Sequence, residues 1–133
     1  FFNNSNDVSK KTITKFTVGN QSYIINEETH TMDAAPYIES GRTMVPLRYA
    51  VAAAGVNPDD VEFSKGVITV PASKLIKMTL GSNIVTADGK EYTMVTAPSS
   101  VNGRTYIPIS ELASILDLSV SWDKETKTAT FEY

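Results

Sequence analysis

Cysteine is absent from the 133-residue chain, which excludes a disulfide framework, a thiolate zinc site and a thiol nucleophile. Histidine occurs once, as His30, so one chain cannot build a multi-histidine metal site. Positive charge is short: 12 Lys and Arg face 15 Asp and Glu, for a net charge of −3. No basic field exists to hold nucleic acid or an anionic membrane. Long apolar runs are missing too. The longest, Tyr49 to Val56, is eight residues, too short to cross a bilayer, so no membrane insertion is expected. These absences weigh against an enzyme. What remains is globular, with 41 % apolar and 20 % charged residues. The length suits one ordinary domain, or two very small ones sharing a core. The sequence opens at Phe1 with no charged n-region, apolar h-region or cleavage site, so the expectation is a leader already removed or an excised fragment. The lack of cysteine fits a secreted bacterial protein and equally many cytosolic domains.

An internal repeat organises the chain. Gly41-Arg42-Thr43-Met44-Val45-Pro46 recurs in the second half as Gly103-Arg104-Thr105-Tyr106-Ile107-Pro108. At the same interval Gly19 meets Gly81, Thr31-Met32 meets Thr93-Met94, and Ala35-Pro36 meets Ala97-Pro98. From residue 17 to 56 the match runs ungapped with ten identities in forty positions. A short deletion then brings Val61-Glu62-Phe63 onto Val120-Ser121-Trp122 and Lys65 onto Lys124. This reading gives a leader over 1–11, a first copy over 12–70 and a second over 71–133.

Each copy predicts an α+β unit, a mostly antiparallel sheet packed on one short helix. Alternating β-branched runs mark strands over Thr12–Val18, Ser22–Asn26, Lys74–Leu80 and Asn83–Ala87, with turns at Gly19-Asn20, Gly81-Ser82 and Asp88-Gly89. A third strand is expected near Thr29–Ala34 and Glu91–Ala97, and the Gly-Arg-Thr turn leads into a short strand ending at proline. Leu47, Ala50, Val51 and Ala54 recur at helical spacing, with Gly55 as the stop, and Ile109, Leu112, Ile115 and Leu116 do the same. Pro46 and Pro108 sit where a first turn tolerates a missing N–H. Two strands close each copy: Val61–Phe63 with Gly66–Val70, and Ser119–Trp122 with Thr128–Tyr133. About sixty residues make a marginal core, so the copies are expected to pack on each other.

The run P-Y-I-x-x-G-R-T-M-V-P-L-R-Y-A-V-A-A-A-G-V from Pro36, and V-N-G-R-T-Y-I-P-I-S-E-L-A with V-S-W-D-K-E-T-K-T-A-T-F behind it, carry a resemblance. They resemble the copper amine oxidase N-terminal-like, or stalk, domain, whose tandem copies bear G-R-T-x-V-P-L-R and a closing V-x-W-D. The resemblance implies an accessory module of surface and secreted proteins of Gram-positive bacteria, and, in the oxidases, a stalk without catalysis. The chain departs from the pattern at Ser110, where the arginine at the place of Arg48 is lost, and in its N-terminal leader, and on this reading no catalytic or anchoring domain is expected beside the repeats. An amine oxidase needs three histidine ligands and a tyrosine-derived quinone. One histidine cannot supply them, so no copper, quinone or other cofactor carries over.

The repeated motif, Gly41, Arg42, Thr43, Pro46 and Arg48 with Gly103, Arg104, Thr105, Pro108 and Trp122, reads first as structural. Arg42 and Arg104 are expected to tie a turn to neighbouring carbonyls or an acid; the competing use is an anion clamp. Trp122-Asp123 is expected to be a core tryptophan and a turn aspartate, mirrored by Phe63-Ser64, against a sugar-stacking platform. Asp59, Asp60, Glu62, Glu27 and Glu28 read as solvated loop acids, since no calcium-loop spacing accompanies them. His30 reads as a half-exposed strand residue. No catalytic, cofactor-binding or metal residue is assigned, and no nucleophile, base and orienter assemble.

The leader, polar except for Phe1, Phe2 and Val8, runs straight into the alternating Thr12–Val18. Its bland reading is a frayed end. The alternative is a strand lent to a neighbour through Phe1, Phe2, Val8, Ile13 and Phe16, because sheet edges accept extended segments. The expected function is a non-catalytic extracellular structural protein of the cell surface, its signal peptide removed. It would polymerise through sheet edges into a fibre or layer. The alternative is an accessory module of a larger surface protein, binding cell-wall polysaccharide or peptidoglycan along a groove of Tyr37, Tyr49, Tyr106 and Trp122.

Overall fold

The computed structural model describes residues 11–133. Among these residues, fourteen strands, two short α-helices and one 3-10 turn follow one another. The first half runs β1 Ile13–Thr17, β2 Ser22–Ile25, β3 Glu28–Thr31, β4 Tyr37–Glu39, β5 Arg42–Pro46, α1 Leu47–Ala53, a 3-10 turn Pro58–Asp60, β6 Glu62–Ser64 and β7 Val67–Pro71. The second half runs β8 Leu75–Thr79, β9 Ile84–Ala87, β10 Lys90–Thr93, β11 Ser99–Val101, β12 Arg104–Pro108, α2 Ile109–Ile115, β13 Ser119–Asp123 and β14 Thr128–Glu132. The architecture is the α+β class expected, mostly antiparallel sheet with two short helices.

Three antiparallel sheets result. One has the order β13-β14-β1-β2-β3, a second β6-β7-β8-β9-β10, and a central four-stranded sheet β11-β12-β5-β4. In the central sheet Val45 lies opposite Ile107, and both side chains are fully buried. Each outer sheet therefore joins strands from the two halves of the chain. The second does so through the short link from Pro71 to Leu75. The first does so where β1 meets β14, and there the Thr12 and Tyr133 backbones exchange two hydrogen bonds of 2.9 Å. Both helices pack on β5 and β12. A single apolar core joins Phe16 and Phe131 of the first sheet, Ile68, Ile76 and Met78 of the second, and Ile109 and Leu112 of α2.

Local chemistry explains the elements. Both helices begin directly after a proline that ends a strand, where the missing N–H costs no helical bond. Helix α1 ends at Gly55, whose φ of +85° allows the Val56 N–H to reach the Val51 carbonyl at 2.9 Å. A side chain there would also strike the Tyr133 ring. The Gly-Arg-Thr motif closes a two-residue hairpin: Ser40-Gly41 and Asn102-Gly103 all have positive φ, the type I′ pattern.

The structure corrects the sequence reading in three places. The third strands stop at Thr31 and Thr93, and separate short strands, β4 and β11, follow them. Three residues per strand are too few to show an alternation. Phe16 is fully buried in its own core and Ile13 is paired with Glu132, so β1 has partners on both sides and is not free to be lent. Trp122 and Phe63 are not core residues; 44 % and 51 % of each is exposed, because both sit on edge strands. Lys65 and Lys124 each stand first after their strand, and the loops part only beyond them, because the β13–β14 loop is longer than the β6–β7 loop. Phe1, Phe2 and Val8 lie outside the described residues.

Candidate functional site

Arg42 and Arg104 each meet one carboxylate from the other half of the chain. Arg104 Nη2 lies 3.1 Å from Asp33 Oδ2, and Arg42 Nε lies 4.0 Å from Glu111 Oε2. Glu111, in the first turn of α2, is the more deeply embedded acid. Its Oε1 accepts from the Val95 N–H at 2.6 Å and its Oε2 from the Thr96 N–H at 3.1 Å. In the first half Tyr49 takes the equivalent helical place, and its hydroxyl meets Asp33 through contacts of 3.4 Å. Asp33 and Val95 are separated by the same interval as Arg42 and Arg104. Each arginine thus faces one internal acid, as a structural tie would, while its side chain stays partly exposed. Arg48 makes a wide, exposed pair with Asp59 at 3.6 Å, a contact worth little.

The four aromatics expected along one groove do not share one. Tyr37 and Tyr106 pack edge to face, with centroids 4.8 Å apart. The Tyr106 hydroxyl donates to the Ala35 carbonyl, and the Tyr37 hydroxyl bonds Ser99 Oγ at 2.8 Å. Tyr49 packs on Tyr23, which also contacts Phe16 and His30. Burial raises Tyr23, Tyr37 and Tyr106 above the ordinary tyrosine value of 10.0. The nearby Tyr49 adds to this at Tyr23; the Ser99 hydroxyl opposes it at Tyr37, and the Arg104 guanidinium opposes it at Tyr106. The folded state therefore holds phenolic protons that the unfolded chain releases. This contribution to stability is complete below pH 10 and is lost as pH rises through the folded values. Alkaline titration should show tyrosinate absorbance rising together with loss of circular dichroism. Ionisation of all six tyrosines with an intact fold would contradict the packing.

Trp122 instead stands alone on β13, at the wall of a cleft of about 450 Å³ reaching to Ile38 on β4 and to Ile109 and Ser110 at the start of α2. Asp123 next to it is a turn residue, whose Oδ1 accepts from the Glu125 and Thr126 N–H groups at 2.9 and 3.3 Å. These bonds hold its carboxyl below the ordinary aspartate value. The acids Asp59, Asp60, Glu62, Glu27 and Glu28 lie on separate turns and strand ends. Among the described residues no three His, Asp or Glu side chains come together as a metal site. His30 sits on edge strand β3, 3.6 Å from Glu28. No helix among them is long and apolar enough to cross a membrane. The cleft at Trp122 is the feature that the sequence did not reveal. Its signal, Ser110 in place of an arginine, was visible only as a departure from a motif.

The structure thus defines a β-rich module held together by paired sheets and internal ion pairs. The chain belongs to the copper amine oxidase N-terminal domain family, whose model matches residues 7–60 and 24–131. In copper amine oxidases this N-terminal domain is non-catalytic. No curated protein and no solved structure matches the chain.

Proposed function

We propose that this chain is a non-catalytic, extracellular structural protein that assembles with copies of itself into a cell-surface fibre or layer, by lending the segment before Thr12 to a neighbour. Two tandem stalk-like repeats, 12–70 and 71–133, form its body. The pairing of Val45 with Ile107, which are repeat counterparts, supports the repeat reading. So do hydrogen bonds that recur at the repeat interval. Ile13 N–H to Asn26 Oδ1 is matched by Leu75 N–H to Asp88 Oδ1, and Gly19 N–H to the Pro36 carbonyl by Gly81 N–H to the Pro98 carbonyl.

One observation carries the assembly reading. The three sheets end on six edge strands, and four of them bear an exposed large apolar side chain: Ile38 on β4, Phe63 on β6, Val101 on β11 and Trp122 on β13. The other two, β3 with Glu28 and His30 and β10 with Lys90 and Glu91, expose no large apolar side chain, while β4, β6 and β13 each carry a single acid, Glu39, Glu62 and Asp123, beside theirs. Unpaired edges with apolar faces are templates for another strand. The test is negative-stain electron microscopy of dilute and concentrated full chain. Regular fibres or sheets are expected, and deletion of residues 1–11 should leave dispersed, folded monomers. Monomers at every concentration, or fibres from the deleted chain, would overturn the reading. A cell-wall polymer has weaker support as a partner, because three of the four aromatics it would use are packed within the fold.

A further inference from the structure

The cleft at Trp122 has a counterpart on the other half of the molecule, and the two differ in a telling way. The counterpart, beside Phe63, measures about 150 Å³ and is lined by Leu47, Arg48, Pro58 and Val61. At Trp122 the matching floor residue is Ile109, but Ser110 stands in place of Arg48. Across the hairpin from Trp122 stands Ala129, whereas Phe63 faces the larger Ile68. The cleft at Trp122, with Ser110 and Ala129 among its lining residues, measures about 450 Å³. It lies between β4 and β13, both sheet edges.

We propose that this cleft is the acceptor for residues 1–6 of a second copy of the chain, with a phenylalanine ring of Phe1 or Phe2 seated against Trp122. The proposal rests on the strand-donation reading above and names the surface it requires. An extended segment can pair with a free edge while alternate side chains enter the cleft. The lining is apolar, with Ile38, Ile109, Val120 and Trp122, or hydroxylic, with Ser110 and Ser121, and no ionisable side chain lines it. The leader matches that chemistry. Phe1-Phe2 is followed by Asn3-Asn4-Ser5-Asn6, and the first charged side chain is Asp7. Each copy then offers a donor and an acceptor at different places on its surface. Such a contact is heterologous and does not close on itself, so it propagates into a fibre.

The absence of cysteine makes the test clean. The full chain carrying Phe2→Cys and Ile38→Cys, oxidised under assembling conditions, should give a ladder of disulfide-linked multimers on a non-reducing denaturing gel. A cross-linked monomer would mean that the leader folds onto its own cleft, and that result, or the absence of any cross-link, overturns the proposal. A second full-length variant, Ser110→Arg, fills the cleft with the residue that lines its counterpart, Arg48. It should lose fibre formation while keeping its circular dichroism and melting temperature. The single tryptophan gives a third signal: Trp122 emission should shift to the blue on assembly of the unmodified chain and remain unshifted in the filled variant. If deletion of residues 1–11 abolishes fibres but the filled variant still forms them, strand donation stands and this acceptor falls. Fibres from the deleted chain would remove both.

Discussion

Replacing Glu111 with alanine is expected to destabilise the fold by about 2–3 kcal/mol, or roughly 10 °C in Tm. The carboxylate is mostly shielded from solvent and accepts two backbone N–H groups from the loop that follows β10. Thr96 is buried, so its N–H would be left without a partner; Val95 is exposed, and its N–H can turn to water. The orphaned group, more than the ion pair, sets the cost, because Arg42 at 4.0 Å is itself part-exposed and screened. Glu111→Gln keeps an acceptor oxygen and should recover about half of the loss. Thermal unfolding of the two variants separates these contributions. A loss below about 0.5 kcal/mol for the alanine variant would mean that water replaces the carboxylate and that the loop is not held by it. Tyr49→Phe, at the corresponding place in the first half, should cost far less, since its contacts with Asp33 are both stretched to 3.4 Å.

The contrast between Glu111 and Tyr49 shows why the site was only partly legible in the sequence. Read in register, Asp33 faces Val95 and Tyr49 faces Glu111, two mismatches that look like drift. In space they are one exchange. The first half places its acid on the loop and the second places it on the helix, and either way one arginine of a Gly-Arg-Thr turn receives one carboxylate. A pattern of single positions cannot express a charge that moves between positions. What was legible was what depends on near neighbours: the paired Gly-Arg-Thr turns, the prolines before both helices, and Gly55 as a stop. What was not legible was which strands lie at edges. Trp122 and Phe63 alternate as core residues would, but a strand with a neighbour on one side only leaves them half uncovered. The same limit hid the partner of β1. Its alternation marks a strand with one buried face, and nothing local to it says that β14, at the far end of the chain, already fills its open side.

Truncating Phe16 and altering Phe1 and Phe2 should therefore have opposite consequences, although all three are aromatic and lie near the start of the sequence. Phe16 is fully buried, stacks on Tyr23 at 5.5 Å and belongs to the same core as Phe131. Phe16→Ala should cost about 3–5 kcal/mol, from lost transfer energy and the cavity left behind. Against a total of roughly 5–15 kcal/mol for a domain, much of the chain would then unfold on mild heating. Loss of assembly in that variant would be a consequence of unfolding. If the leader is lent as proposed, Phe1→Ser with Phe2→Ser should leave thermal unfolding within about 0.5 kcal/mol of the parent while fibres disappear. Denaturant melts and electron microscopy of the same samples make the comparison. A Phe16→Ala chain that melts like the parent yet fails to assemble would reverse the argument, making β1 an association strand. Under the strand-donation proposal the boundary falls at Thr12, whose backbone closes on Tyr133. From there inward β1 already has a neighbouring strand on both sides, so a strand lent to another molecule must come from the residues before it.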